Sequence, residues 1–140
     1  MTVTVRVDVT EAAIAALRQE RWPNGRGVTR TVAEGGDAHG RWRVSIATVT
    51  DGAPFSVLPG VDRVLLPLTD GSVRLQGPSG TLPADTDGSV RFDGRLPVTA
   101  TVPGGAAHVC NVITTTGTHR VSTTRHDDLV VVRLERQETP

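Results

Sequence analysis

An arginine and a serine share one face of a strongly alternating segment, and these residue types can bind an acidic ligand. In Arg41–Thr50, Arg43 and Ser45 point one way, while Trp42 and its alternate neighbours point the other way. If the arginine face looks into the protein, it forms a pocket for a carboxylate, because a guanidinium can bind one through two parallel hydrogen bonds. If that face looks into solvent, the tryptophan face is the core. The alternation alone leaves both arrangements open.

Further polar residues could complete such a pocket. Arg63 precedes an apolar run and is either a pocket residue or an exposed residue at a strand edge. Asn24 and Thr29 could contact a ligand, or could only satisfy backbone groups of their loop. His108, near Asn111, could act as an acid, a base or a polar contact, or could be a buried histidine whose hydrogen bonds are satisfied. The predicted ligand-binding set, placed inside the fold with the 24–29 loop at its mouth, is Asn24, Thr29, Arg43, Ser45, Ser56, Arg63, His108 and Asn111.

The composition excludes several classes of function. The 140 residues predict a single domain, 1–140, and the 15 acidic residues balance the 15 basic ones. We therefore expect neither nucleic acid nor an anionic membrane as a partner. The single cysteine, Cys110, permits no internal disulfide and lies in an apolar run, where we expect a small buried hydrophobe and not a nucleophile. The N-terminus resembles no signal peptide, so the expected location is the cytoplasm.

The N-terminal third predicts a strand, a helix and a second strand. Thr2–Val9 alternates strictly, and Thr10 then suits the N-cap of a helix over Glu11–Glu20. A short strand is predicted over Val28–Ala33, followed by a flexible polar turn over Glu34–Gly40.

The remaining chain is rich in short strands separated by glycine and proline turns. Asp70–Gly71 is expected to close a tight hairpin, and Leu129–Leu134 is apolar enough to be core or the interface of a homodimer. Such spacing is typical of an all-β sandwich or barrel. After Arg41–Thr50, the predicted strands are Phe55–Leu58, Asp62–Leu68, Ser72–Gln76, Ser89–Phe92, Val98–Val102, Ala107–Thr114 and Leu129–Leu134.

Two stretches resemble the signatures of the cupin barrel. Gly52 and Gly71 stand at the glycine positions of the first signature, but its three metal-ligand positions hold Leu58, Gly60 and Val64. In the second signature, Pro103, Gly105 and His108 match in register. One histidine cannot hold a catalytic divalent ion, which needs about three protein ligands. The resemblance therefore implies a cupin with no metal and no cofactor.

Several motifs in order resemble the HutD/Ves family of cupins. They are the loop residues Trp22, Asn24, Gly25, Gly27, Thr29 and Arg30; then Trp42–Ala47; then Phe55, Ser56, Pro59, Gly60 and Arg63; and finally His108–Ile113. The resemblance implies an all-β cupin jelly-roll barrel with one short N-terminal helix. It also implies that a second barrel half, which most members have, is missing here or reduced to one strand pair after Gly117.

The family resemblance implies a context in amino-acid metabolism, namely histidine utilisation. The main hypothesis is a metal-free cupin that binds a small acidic metabolite in a regulatory or accessory role. The alternatives are a metal-independent isomerase or hydrolase that uses His108, and a dimerisation scaffold.

Overall fold

The computed structural model describes residues 1–68 and 73–137, which form twelve strands and one short helix. The predicted Asp70–Gly71 turn, the first residue of the predicted Ser72–Gln76 strand and the last three residues lie outside this part of the chain. The elements are β1 (Thr2–Asp8), α1 (Glu11–Ala16), β2 (Gln19–Arg21), β3 (Gly27–Asp37), β4 (Gly40–Thr50), β5 (Val61–Pro67), β6 (Arg74–Gly77), β7 (Gly80–Thr81), β8 (Val90–Asp93), β9 (Thr99–Thr101), β10 (Ala106–Thr115), β11 (His119–His126) and β12 (Leu129–Arg136).

The strands form three sheets, with the largest between the other two. The central sheet has six strands in the order β2-β3-β4-β10-β5-β8. The sheet β1-β12-β11 and helix α1 pack on one side of it, called here the outer face. The sheet β7-β6-β9 packs on the other side, called here the inner face. The expected all-β architecture with one short N-terminal helix is confirmed.

The two middle strands of the central sheet, β4 and β10, are buried on both faces. Their antiparallel register pairs Ser45 with Asn111 and Ile46 with Cys110. Ile46 and Cys110 belong to the outer core, whereas Ala47 and Val109 belong to the inner core. The interpretation of the Arg43–Ser45 face as a solvent face is therefore wrong, because that face carries the inner core.

The C-terminal chain supplies most of the outer cover. Val130, Val132 and Leu134 of β12 are completely buried, so the apolar segment predicted over Leu129–Leu134 is core. Beyond Gly117, β11 and β12 form a strand pair, and β1 adds to the free side of β12.

The helix begins where the sequence predicts but ends sooner. The Thr10 hydroxyl oxygen accepts a hydrogen bond from the Ala13 amide, as expected of an N-cap. The helix stops at Ala16, and Leu17 is already extended, with φ −76° and ψ 143°. The prediction of helix as far as Glu20 is wrong because Gln19–Arg21 pairs with β3 as an edge strand. Pairing in the sheet outweighs the modest helix propensity of these residues.

Two other local predictions are also wrong. Strand β3 runs on to Asp37, so most of the turn predicted over Glu34–Gly40 is strand that pairs with β4. The segment Phe55–Leu58 is a loop. A hydrogen bond from the Phe55 amide to the carbonyl of Val98 holds it against the fold. Strands β2, β7 and β11 were not predicted. Strand β11 shows no apolar alternation, because Val121 is its only apolar residue.

Core burial in the outer sheet predicts a face-dependent response to mutation on β12. Leu134→Ala should lower the free energy of unfolding by about 2–5 kcal/mol, because it leaves a cavity in the outer core. Arg133→Ala, on the exposed face of the same strand, should change it by no more than about 0.5 kcal/mol. Urea denaturation followed by circular dichroism measures both, and equal effects would contradict the assigned faces.

Candidate functional site

The sheet register gathers four of the predicted site residues on the inner face. Arg43 pairs with Ile113, which pairs in turn with Arg63 on β5. Ser45 pairs with Asn111 in the next row of the same face. Directly paired residues of antiparallel strands project to the same side of a sheet. Two arginines therefore flank an isoleucine, with a serine and an asparagine one row further along the strands.

Arg63 is deeply buried and held between two aromatic rings. Its exposed fraction is 4%. The guanidinium carbon lies 5.3 Å from the ring centroid of Phe55 and 5.3 Å from that of Phe92. Its Nη1 donates a hydrogen bond of 3.2 Å to the carbonyl oxygen of Ser56. These contacts fix the guanidinium and stabilise its charge through the faces of the rings.

Within the described part of the chain, the two arginines of the site form no ion pair. Burial, and then the nearby charge of Arg43, lowers the pKa of Arg63 to about 10. The side chain therefore remains charged at neutral pH. The ion pairs found within residues 1–68 and 73–137 join Arg91 to Asp85, Arg95 to Asp93 and Arg136 to Asp37. None of these pairs includes Arg43 or Arg63.

Three buried polar atoms of this cluster have no hydrogen-bond partner. They are the Nε of Arg63, the Oγ of Ser45 and the Oδ1 of Asn111. Ser45 is fully buried and Asn111 is 6% exposed. Buried polar groups in folded proteins are almost always hydrogen-bonded, since leaving one unpaired costs about 1–3 kcal/mol. Their concentration on one face of three neighbouring strands marks this cluster as a candidate binding site.

A pocket of about 420 Å³ opens at the Arg43 end of the cluster. Arg43 is half-buried, and the apolar side chains of Val61 and Ile113 line the pocket with it. Glu34, whose Cα is paired with that of Arg43, also lines it, but no ion pair joins the two side chains. The pocket combines one apolar wall with a cation, the usual composition of a site for a small polar ligand.

The other predicted residues of the 24–29 loop and of the Phe55–Leu58 segment have structural contacts. Asn24 Oδ1 accepts from the amide of Arg26, and Asn24 Nδ2 donates to the carbonyl of Pro54 at 3.5 Å. Thr29 Oγ1 accepts from the indole nitrogen of Trp22 at 2.8 Å. Ser56 contributes its backbone carbonyl to Arg63, while the residue itself is exposed. These contacts fit the alternative in which the loop residues satisfy local hydrogen bonds.

His108 does not share the site with Asn111, and that part of the prediction is wrong. It pairs with Thr48 on the outer face, where its Nδ1 lies 2.8 Å from the Thr48 hydroxyl. Residues three apart on a strand point to opposite sides. The segments that carry the two cupin signatures are neighbours in the central sheet, because β5 and β10 are hydrogen-bonded to each other.

Cys110 lies in the outer core and is completely buried. Burial raises the pKa of its thiol to about 12, so the thiolate is negligible at neutral pH. This agrees with the expectation of a buried hydrophobe and argues against a nucleophile.

The positions of the cupin metal ligands lie apart from the polar cluster. Leu58 and Gly60 are in the loop before β5, and Val64 is in the outer core. In the two described stretches, no three histidine, cysteine, aspartate or glutamate side chains lie close enough together to hold a metal ion. The helix in those stretches is too short to cross a bilayer.

The protein is predicted to contain no stoichiometric metal, because the ligand positions lack donor atoms. Elemental analysis of protein purified without an affinity metal should find less than a tenth of an equivalent of any transition metal. A tightly bound metal at one equivalent would contradict this prediction.

The architecture is that of the cupin fold. The chain superposes on a sugar phosphate isomerase from a cupin superfamily of Silicibacter pomeroyi with a TM-score of 0.50 and 13% identity, over 89% of this chain and 90% of that one. Within this class the chain belongs to the HutD family, whose model matches residues 14–138. The family and fold expected from the motifs are thereby confirmed.

Other relatives agree with this assignment. HutD from Pseudomonas fluorescens SBW25 superposes with a TM-score of 0.67 at 15% identity, over 96% of this chain and 94% of that one. A conserved protein of unknown function from Pseudomonas aeruginosa PAO1 gives 0.67 at 19% identity, over 99% and 93%. Protein Ves from Citrobacter koseri is 42% identical over 60 residues, which is 40% of this chain. That match covers only 30% of the length of Ves.

Some residues of the pocket were not predicted from the sequence. Glu34 and Thr115 line it, as do Val61 and Ile113. Glu34 was assigned to a turn, and Ile113 only to the strand predicted over Ala107–Thr114. Their role follows from the register of β3, β4, β10 and β5, which no local pattern specifies. The alternation of β4 was the one signal that pointed to this face.

Proposed function

We propose that this protein is a cupin that binds a small carboxylate metabolite in the pocket beside Arg43, in a regulatory or accessory role in amino-acid utilisation. The observation that carries the proposal is the buried Arg63 with Arg43 close enough to lower its pKa, and no acidic partner among the described ion pairs. A bound carboxylate would supply the missing negative charge.

Electrostatics favours an anion over a neutral ligand at this position. Bringing two cations together in a poorly hydrated site is unfavourable, and an anion between them converts that repulsion into attraction. Guanidinium groups also match the planar geometry of a carboxylate. The apolar side chains of Val61 and Ile113 would contact the carbon skeleton of the ligand. The pocket volume of about 420 Å³ suits a metabolite and not a macromolecule.

Membership of the HutD family supplies the metabolic context of the proposal. It supports a place in histidine utilisation, where acidic intermediates are natural candidates for the ligand. The enzymatic alternative relied on His108, and that side chain lies on the opposite face of the sheet. Binding without turnover is therefore the function that the inner-face cluster supports best.

Arg43→Ala should abolish or greatly weaken carboxylate binding while leaving the fold intact. A charge-assisted hydrogen bond contributes about 1.5–3 kcal/mol, so we expect the dissociation constant to rise tenfold to about 150-fold. Thermal-shift screening with small carboxylates, including acidic intermediates of histidine breakdown, followed by calorimetry, measures the change. Arg133→Ala, which removes an exposed arginine elsewhere, is the matched control. Equal affinity in Arg43→Ala and wild type would contradict the site.

Arg63→Met should separate stability from binding. The lowered pKa of Arg63 corresponds to an unfavourable free energy of about 3 kcal/mol, which comes first from burial of the charge and then from the charge of Arg43. The hydrogen bond to Ser56 and the two ring contacts offset a similar amount, at about 1.5 kcal/mol and about 0.5–1 kcal/mol each. We therefore expect the ligand-free variant to unfold within about 1 kcal/mol of wild type, yet to gain no thermal stability from carboxylates. A ligand response equal to that of wild type would exclude Arg63 from binding.

A further inference from the structure

We infer that the ligand carries a hydrogen-bond donor, a hydroxyl or an amino group, next to its carboxylate. This inference rests on the proposed function and specifies the class of acid: a hydroxy or amino acid, as opposed to a simple or keto acid. It comes from the two polar residues that lie one row beyond the arginines.

Ser45 and Asn111 form a cross-strand pair at the centre of the sheet. Their Cα positions are directly opposed, and both side chains face the inner side. The hydroxyl of Ser45 and the side-chain oxygen of Asn111 both lack a partner, so they do not bond to each other. The paired neighbours on the outer sides are Leu65, opposite Asn111, and Thr31, opposite Ser45. Leu65 is apolar, and no hydrogen bond joins the Thr31 and Ser45 hydroxyls.

The sheet geometry places this pair within reach of a group attached to the carboxylate. Arg43 and Arg63 lie on either side of Ile113, two strand spacings apart, or about 9.6 Å between Cα atoms. Asn111 precedes Ile113 by two residues, about 7 Å along the strand. Arg43 and Ile113 line the pocket at one end of this array, and Ser45 and Asn111 are the next pair beyond them on the inner face. A carboxylate held by the arginines therefore leaves its α- or β-substituent next to Asn111.

The chemistry of the two unpaired oxygens determines which substituent fits. The side-chain oxygen of Asn111 only accepts hydrogen bonds, so it requires a donor from the ligand. The hydroxyl of Ser45 can donate to the same ligand oxygen or accept from the same ligand nitrogen. A keto oxygen is also only an acceptor, so it would repel the Asn111 oxygen and form no hydrogen bond with it. A bare methylene would leave both oxygens unpaired, at a cost in affinity.

Matched acids that differ at one position test the inference with the wild-type protein. Lactate, propionate and pyruvate form a small series, and phenyllactate, 3-phenylpropanoate and phenylpyruvate form a larger one. Calorimetry should give the hydroxy acid an affinity about fivefold to tenfold higher than either partner in at least one series. Equal affinities in every series that binds, or a preference for the keto acid, would overturn the inference and leave carboxylate binding standing. If no acid binds, the proposed function fails as well.

The Asn111→Leu variant tests whether Asn111 contacts the ligand, because a purely structural role would not change the preference for the hydroxy acid over the simple acid. Leucine has a similar shape and no acceptor, so the variant should still bind the simple acid within about threefold of wild type. It should lose the preference for the hydroxy acid. Leu65→Ala, at the paired position on β5, is the control for general damage to the site and should lower both affinities together. A preference that persists in Asn111→Leu would show that the donor contacts some other group.

Discussion

The pairing of β4 with β10 is the constraint on which both the cores and the candidate site depend. The middle of each strand is buried on both faces, so that Ile46 and Cys110 belong to the outer core and Ala47 and Val109 to the inner core. A slip of one residue would move Ile46 and Val44 inward and would expel Arg43 and Ser45 to the outer side. The apolar outer core therefore fixes the register, and this register places the side chains of Arg43 and Ser45 on the inner face.

The inner face shows how this fold accommodates a buried charge. Arg63 is stabilised by two phenyl rings and one carbonyl group, which hold it in place without neutralising it. Replacing an unpaired buried charge by an apolar side chain is often neutral or stabilising for a protein. A residue kept under those conditions is better explained by what it binds than by what it stabilises. The neighbouring unpaired oxygens of Ser45 and Asn111 support the same interpretation, since local rules of folding are most often broken at functional sites.

Alternation in the sequence was sufficient to predict most of the long strands, because burial of one face imposes a period of two. It did not reveal that β4 is covered on both sides, since a serine and an arginine look the same from the sequence whether they face solvent or a pocket. His108 is different: within a strand predicted over Ala107–Thr114, its odd separation from Asn111 already placed the two on opposite faces. The end of the helix and the extension of β3 depended on pairing partners distant in sequence, which local propensity does not register.

The outer sheet joins the first strand of the chain to the last, with Thr2 opposite Glu135. Synthesis proceeds from the N-terminus, so β1 emerges from the ribosome long before β12 can pair with it. Until then, the apolar side of the central sheet that carries Val44 and Val112 remains open to water. Contacts of such wide sequence separation are closed late and slowly. A chain that ends before residue 129 would lack β12 and leave the outer core uncovered, which would make it prone to aggregation.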